Sequence, residues 1–217
     1  MKRRAAINRT IVVVDVEGFG DYTRIRPSQL IVRETMYRAV RKGLRAAGVH
    51  WFRCHHVDRG DGVFILAPTL TDKVRLVEAL PAALAKALRR HNSRHPPEER
   101  IRLRLAMHAG EIARDEHGVT GNSINLTFRL ADAPELKKAF RESPGVLAVI
   151  TSEWFYDEVV RHSSVADSYR RVPVNVKETS TSGWMHLLNS PDESGHVARR
   201  IRLRQRVLTW SSLTRRP

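Results

Sequence analysis

The sequence predicts an α+β fold: a ferredoxin-like β-α-β-β-α-β core with an added helix and strands. Three observations lead there. The run Ile11–Val14 is four branched apolar residues, which reads as a strand buried on both faces. Segments 51–57 (WFRCHHV) and 63–67 (VFILA) read as strands joined by the Asp/Gly-rich link of a β-hairpin. Helical periodicity over 26–48 and 72–92 separates these strands from one another and from IRLRLAMHAGEI at 101–112.

The elements follow in order. The first strand ends in Asp15, then Val16, Glu17 and the turn-like Gly18-Phe19-Gly20. Over 26–48, Leu30, Tyr37, Val40, Leu44 and Ala47 recur at helical spacings, with Gly48 as the stop. The helix over 72–92 carries Val74, Val77, Leu84 and Leu88, with an irregularity expected at Pro81. HPPEER is a loop, and Ile101, Leu103 and Leu105 alternate along the next strand. ARDEHGVTG reads as a polar connection to helices over 122–133 and 134–140, followed by a strand at 145–150. TSEWFYDEVVRH is a helix with Thr151 or Ser152 as its N-cap, and YRRVPVNVKETSTSGWMHLL a closing hairpin. Linker composition after Asn189 divides the chain into a domain over 9–189 and a basic C-terminal tail over 190–217, with a helical pattern at 197–213.

A chain of 217 residues with 41% hydrophobic content suits one core. Its longest apolar runs are of strand length, so no transmembrane segment is expected. The basic N-terminus lacks the apolar stretch of a signal peptide, and the single Cys54 excludes an internal disulfide and suits a reducing compartment. The expected location is cytoplasmic. The net charge of +15 is carried mainly by arginine, much of it at the two ends; such tails are solvated or docking segments, and no specific nucleic-acid partner is expected.

Chemistry concentrates in four places. Asp15 leaves the first strand, and Asp61 lies in the hairpin turn RGDGVF. A β-α-β-β arrangement brings both together, and paired carboxylates suit hard divalent cations. The plainer reading of Asp61 is a favoured Asp-Gly corner. Asn125 and Arg129, four apart on a helix, share a face from which the guanidinium can fork onto a phosphoryl group; both are also common as exposed helix residues. Lys177, ending VPVNVK, is a phosphate anchor or an ordinary strand-end lysine.

Taken in order, DVEGFG, RGDGVF, LAMHAGEI, GNSINLTFRLADA and VKETSTSGWMHL resemble the motifs of the class III nucleotide cyclases, the adenylate and guanylate cyclase catalytic domains. The resemblance runs from about residue 9 to 189. It implies two Mg²⁺ or Mn²⁺ ions held by Asp15, Asp61 and the Val16 carbonyl. Amides around Glu17, Gly18, Phe19 and Gly20 would hold the terminal phosphates, aided by free amides where the next helix begins. Asn125 would orient the ribose, Arg129 would stabilise charge on the α-phosphate, and Lys177 would touch the triphosphate. In this family the metal acids and the Asn/Arg pair come from opposite subunits, so the resemblance implies a head-to-tail homodimer acting on a nucleoside triphosphate.

The chain departs from the family where the purine is read. The positions four before the second metal acid and seven before the Asn are Val57 and Gly118, whose side chains offer no hydrogen bond to a purine edge. Strand alternation would put Arg53, His55 and Arg59 on the face of Val57, as replacement readers. Intact cyclisation machinery without the purine selector is the pattern of the bacterial pyrimidine cyclases of anti-phage defence, which make cyclic UMP or cyclic CMP for a separate effector. The alternatives are a non-catalytic nucleotide-binding regulatory module and an adenylate cyclase with an atypical base pocket.

Overall fold

The computed structural model describes residues 6–189; residues 1–5 and 190–217, including the tail and the helix expected at 197–213, lie outside the described residues. The architecture grows from β1 (Ile7–Val16), which is apolar on both sides at its centre. Val12, Val14 and Val16 face one core, and Ile11 and Val13 face another across the sheet. Flanking β1 are β3 (Gly62–Leu66) and β4 (Leu103–Asp115), both antiparallel to it, with β2 (His55–Asp58) outside β3. Beyond β4 come β6 (Leu147–Ser152), parallel to it, then β8 (Thr179–Leu188) and β7 (Arg170–Val176). The sheet order is therefore β2-β3-β1-β4-β6-β8-β7, with β5 (Gly118–Thr120) paired to β4. The first four of these strands are the ferredoxin-like core, and the rest are additions.

Helices cover both faces. The first core takes α1 (Arg26–Ala46), α2 (Lys73–Asn92) and Phe155 of α5 (Glu153–Glu158). The second takes α3 (Asn122–Ala131) and α4 (Pro134–Glu142), through Ile124, Leu130, Leu136 and Phe140. Caps follow side-chain chemistry: the Asp72 carboxylate accepts from the Arg75 amide, and Ser152 Oγ from the Phe155 amide.

Several local expectations need correction. Residues 51–53 form a 3₁₀ turn, so the strand expected over 51–57 begins only at His55. Arg53 and Arg59 consequently lie outside β2, and of the proposed readers only His55 shares a strand with Val57. The connection ARDEHGVTG is instead a hairpin: the Asp115 carboxylate accepts from the His117 amide at 2.8 Å, closing a two-residue turn opposite Gly118. Helix α2 runs through Pro81 without a break, and that ring is buried. Leu30 is exposed, because the buried stripe of α1 passes through Val32, Met36 and Val40.

Candidate functional site

The chain builds two clusters. The first sits where β1 ends. Asp15 pairs in register with Gly62, and the Val16 amide donates to the Asp61 carbonyl at 2.9 Å, so the two aspartates are neighbours. Gly62 is required there: an added Cβ would lie 2.4 Å from the Val14 carbonyl oxygen. Gly62→Ala is expected to cost roughly 1–3 kcal/mol of stability by overpacking, read as a lower denaturant midpoint. The hairpin carrying Asp61 is held from α1, where Arg33 pairs with Asp58 and donates to the Gly60 carbonyl.

Around Asp15 the electrostatics are uneven. Burial raises its pKa above the ordinary aspartate value; Arg104, ion-paired to its carboxylate, opposes that shift, and Asp61 adds to it. Asp61 is exposed and has no ion pair among the described residues. Two adjacent carboxylates with one compensating guanidinium leave surplus negative charge on hard oxygen donors, which fits Mg²⁺ or Mn²⁺. Glu17 is held at 3.2 Å by Arg102.

The following turn is shaped for backbone recognition. Gly18 has φ +63°, a conformation that side chains resist, and the space beside Gly18 and Gly20 is open. Phe19 between them packs into the first core and anchors the turn. Helix α1 begins only at Arg26, with Pro27 in its first turn, and the Asp21 carboxylate accepts from the Thr23 amide and hydroxyl on the way. The helix-start amides expected after the glycines thus belong to a helix that begins only at Arg26, beyond an intervening turn.

The second cluster belongs to α3 and the β7–β8 turn. Asn125 lines a pocket of about 360 Å³ with His108, Ser123 and Glu178. Arg129 donates to Glu178 at 2.9 Å, and Lys177 precedes that residue in a two-residue turn with φ +52°. His108 donates to or accepts from Ser152 Oγ at 2.7 Å, and burial pushes its pKa down to about 4. An unfolded chain takes up that proton near pH 6.5 and the folded one only near 4, so stability present above 6.5 is lost as pH falls through this window. His108→Gln is expected to remove on the order of 3 kcal/mol of that loss, measured as the difference between the two proteins' unfolding free energies at pH 7 and pH 4.

The proposed base readers form a third group. Val57 pairs with Phe64, the His55 ring meets Phe64 edge-on at 6.4 Å, and Phe64 stacks on Phe128 at 5.7 Å. The Arg59 guanidinium covers Phe128 at 5.3 Å. His55 Nε2 is buried with no partner among the described residues. Burial lowers the His55 pKa, and nearby Arg114 lowers it further. Arg33, Arg104 and Arg114 escaped the sequence reading because their partners are 25 or more positions away; for the two on β4 the cue was arginine in a strand, which is ordinarily a solvent-facing residue, and Arg33 reads as an ordinary helix arginine.

The carboxylates and the Lys177 turn occupy opposite ends of the sheet. Asp15 aligns through Arg104 and Ala148 with Leu187, whereas the Lys177 turn closes at Thr179, eight residues along β8 and roughly 25 Å away at strand rise.

No family model matches the sequence, and no curated protein matches it. Solved structures do. The guanylyl cyclase Cya2 aligns over 84% of this chain and 91% of its own, with 18% identity and a TM-score of 0.56. The adenylate/guanylate cyclase/hydrolase from Silicibacter pomeroyi aligns over 85% and 99%, at 16% identity and TM-score 0.59. The adenylyl cyclase CyaB from P. aeruginosa aligns over 87% and 97%, at 13% identity and TM-score 0.58. The chain has the fold of the class III nucleotide cyclases. No helix among the described residues is long and apolar enough to cross a membrane.

Proposed function

We propose that the protein is a nucleotide cyclase that converts UTP or CTP to the 3′,5′-cyclic monophosphate and pyrophosphate in a head-to-tail homodimer with two shared sites, the domain over 9–189 being the catalytic one. The carrying observation is the separation of the carboxylate pair from the β7–β8 turn that bears Lys177 and engages Arg129 through Glu178. One chain does not close such a site; a twofold partner, inverted end to end, supplies the missing half to each.

Asp15, Asp61 and the Val16 carbonyl would hold two Mg²⁺ or Mn²⁺ ions. Bound there, these ions supply activation of the ribose 3′-hydroxyl and charge neutralisation on the triphosphate. The amides of Gly18, Phe19 and Gly20 bind the terminal phosphates, and Lys177 of the other subunit adds a point charge. Asn125 orients the ribose. Arg129 exchanges Glu178 for the α-phosphate as the 3′-oxygen bonds to phosphorus and pyrophosphate leaves.

For the base, Val57 and Gly118 present no polar side chain, while the orphan Nε2 of His55 is a buried group in need of a partner. Phe64, Phe128 and Arg59 add a flat wall beside it. A pyrimidine edge satisfying His55 fits this better than a purine whose polar edge meets Val57. By resemblance alone, the product would signal to a separate effector in cytoplasmic anti-phage defence. Incubation with Mn²⁺ and each of ATP, GTP, CTP and UTP, with products identified by mass spectrometry, is the test. Cyclic UMP or cyclic CMP is expected; a purine product alone would overturn the pyrimidine assignment, and no product from an intact dimer would overturn cyclisation itself.

A further inference from the structure

On the sheet face away from α3, helices α1 and α2 enclose a cleft of about 340 Å³. Thr35, Arg38 and Lys42 line it from one side, at spacings of three and four that share a helix face. Arg90, His91 and Arg94 line it from the other. Its base is made of buried polar groups with assigned roles. His91 Nε2 lies 2.9 Å from the Glu99 carbonyl, which makes it the donor and leaves Nδ1 to accept from the Thr35 hydroxyl at 3.3 Å. The Thr35 oxygen in turn accepts from Arg38 at 3.3 Å. The His95 ring stacks on His91 with centroids 3.6 Å apart, and Ala39 and Ala87 keep the space between the helices open.

No carboxylate among the described residues lines this cleft. Arg33, Arg102, Arg104, Arg129 and Arg171 each meet a carboxylate. Among the described residues, Lys42, Arg90 and Arg94 have no ion pair, and Arg38 has only an exposed Glu34 at 3.9 Å. Four cations facing one concavity repel one another, and a compact polyanion relieves all four at once. The volume matches a small ligand and not an extended strand.

We infer that this cleft is a second anion site, separate from the candidate cyclase site, that takes a phosphorylated small molecule whose phosphoryl oxygens meet Arg38, Lys42, Arg90 and Arg94. The aromatic wall of His91 and His95 and the alanine-lined gap leave room for a ring attached to the phosphates, so inorganic pyrophosphate and a nucleoside triphosphate are the two sources to separate. Asn92 binds both backbone groups of Ile101, tying this end of α2 to the segment that leads through Arg102 into β4 and Arg104 at the carboxylate cluster.

Calorimetry on the full chain in EDTA, with inorganic pyrophosphate and with UTP as probes, tests the assignment. Saturable binding is expected, weakened at least about tenfold by the double change Arg90→Ala and Arg94→Ala. Both side chains are exposed, so folding persists. Removing the same charge from α4, with Lys138→Ala and Arg141→Ala, is expected to leave binding unchanged. Tighter binding of UTP than of pyrophosphate makes the ligand a nucleotide, and the reverse makes it inorganic. The inference is overturned by absence of saturation, by equal weakening in the α4 pair, or by undiminished binding in the Arg90/Arg94 pair. Duplex RNA lost with Arg90 and Arg94 but not displaced by pyrophosphate would also overturn it.

Discussion

Arg129→Ala is expected to lower cyclisation by about 10²–10³-fold while leaving thermal unfolding nearly unchanged. The guanidinium is mostly sheltered and its one described ion pair is with Glu178, an exposed acid in the β7–β8 turn, so its loss removes a weak contact from the folded chain. In the transition state the same group meets the negative charge developing on the α-phosphate, where a fixed donor in a water-poor cleft counts for far more. The change should therefore appear in kcat with KM little altered, because the interaction is made in the transition state. A parallel fall in unfolding temperature and in activity would instead make Arg129 a structural residue.

Asp61→Asn is expected to cost on the order of 10³-fold in turnover and to weaken Mn²⁺ binding measured without substrate. Asn keeps the size and the turn chemistry of the hairpin, so the Asp-Gly corner and the pairing of Asp15 with Gly62 persist. Only the second negative charge disappears. Its loss also removes a cause of the raised Asp15 pKa, which moves back toward the ordinary aspartate value. In the wild type that shift has a definite sign: with its pKa raised, Asp15 takes up a proton at a higher pH than a normal aspartate does, so metal binding weakens from a correspondingly higher pH as the solution is acidified. The Mn²⁺-binding curve of Asp61→Asn should be weaker overall and displaced toward acid. An unchanged Mn²⁺ affinity would leave Asp61 as a turn residue and nothing more.

How far these groups were legible depends on how local their signals are. Ile11–Val14 announced a doubly buried strand because both faces are apolar, and Asp15 stood out by following it. The RGDGVF turn was legible for the same reason, since Asp-Gly corners are decided by neighbouring backbone angles. The helix over 122–133 and its Asn125/Arg129 face came from spacing alone. What stayed hidden is non-local. Arg104 is one arginine in an arginine-rich strand until β1 is laid beside β4 and Asp15 falls opposite it. Arg114 matters because the fold brings it near His55, which no periodicity reports. The ARDEHGVTG hairpin was missed because its turn is closed by the Asp115 side chain within a segment that is polar throughout. The truncated β2 reflects a 3₁₀ turn at Trp51–Arg53, where aromatic content favoured a strand that did not form.

The separation of the carboxylates from the Lys177 turn makes mixing the most direct test of a shared-site cyclase. Asp61→Asn and Arg129→Ala chains, each nearly inactive alone, would be combined at equal concentration and assayed for cyclic nucleotide by mass spectrometry. Half of the dimers are then mixed and each holds one site with both wild-type halves, so about a quarter of wild-type turnover should return. No recovery from a mixture in which mixed dimers are shown to form would contradict the account.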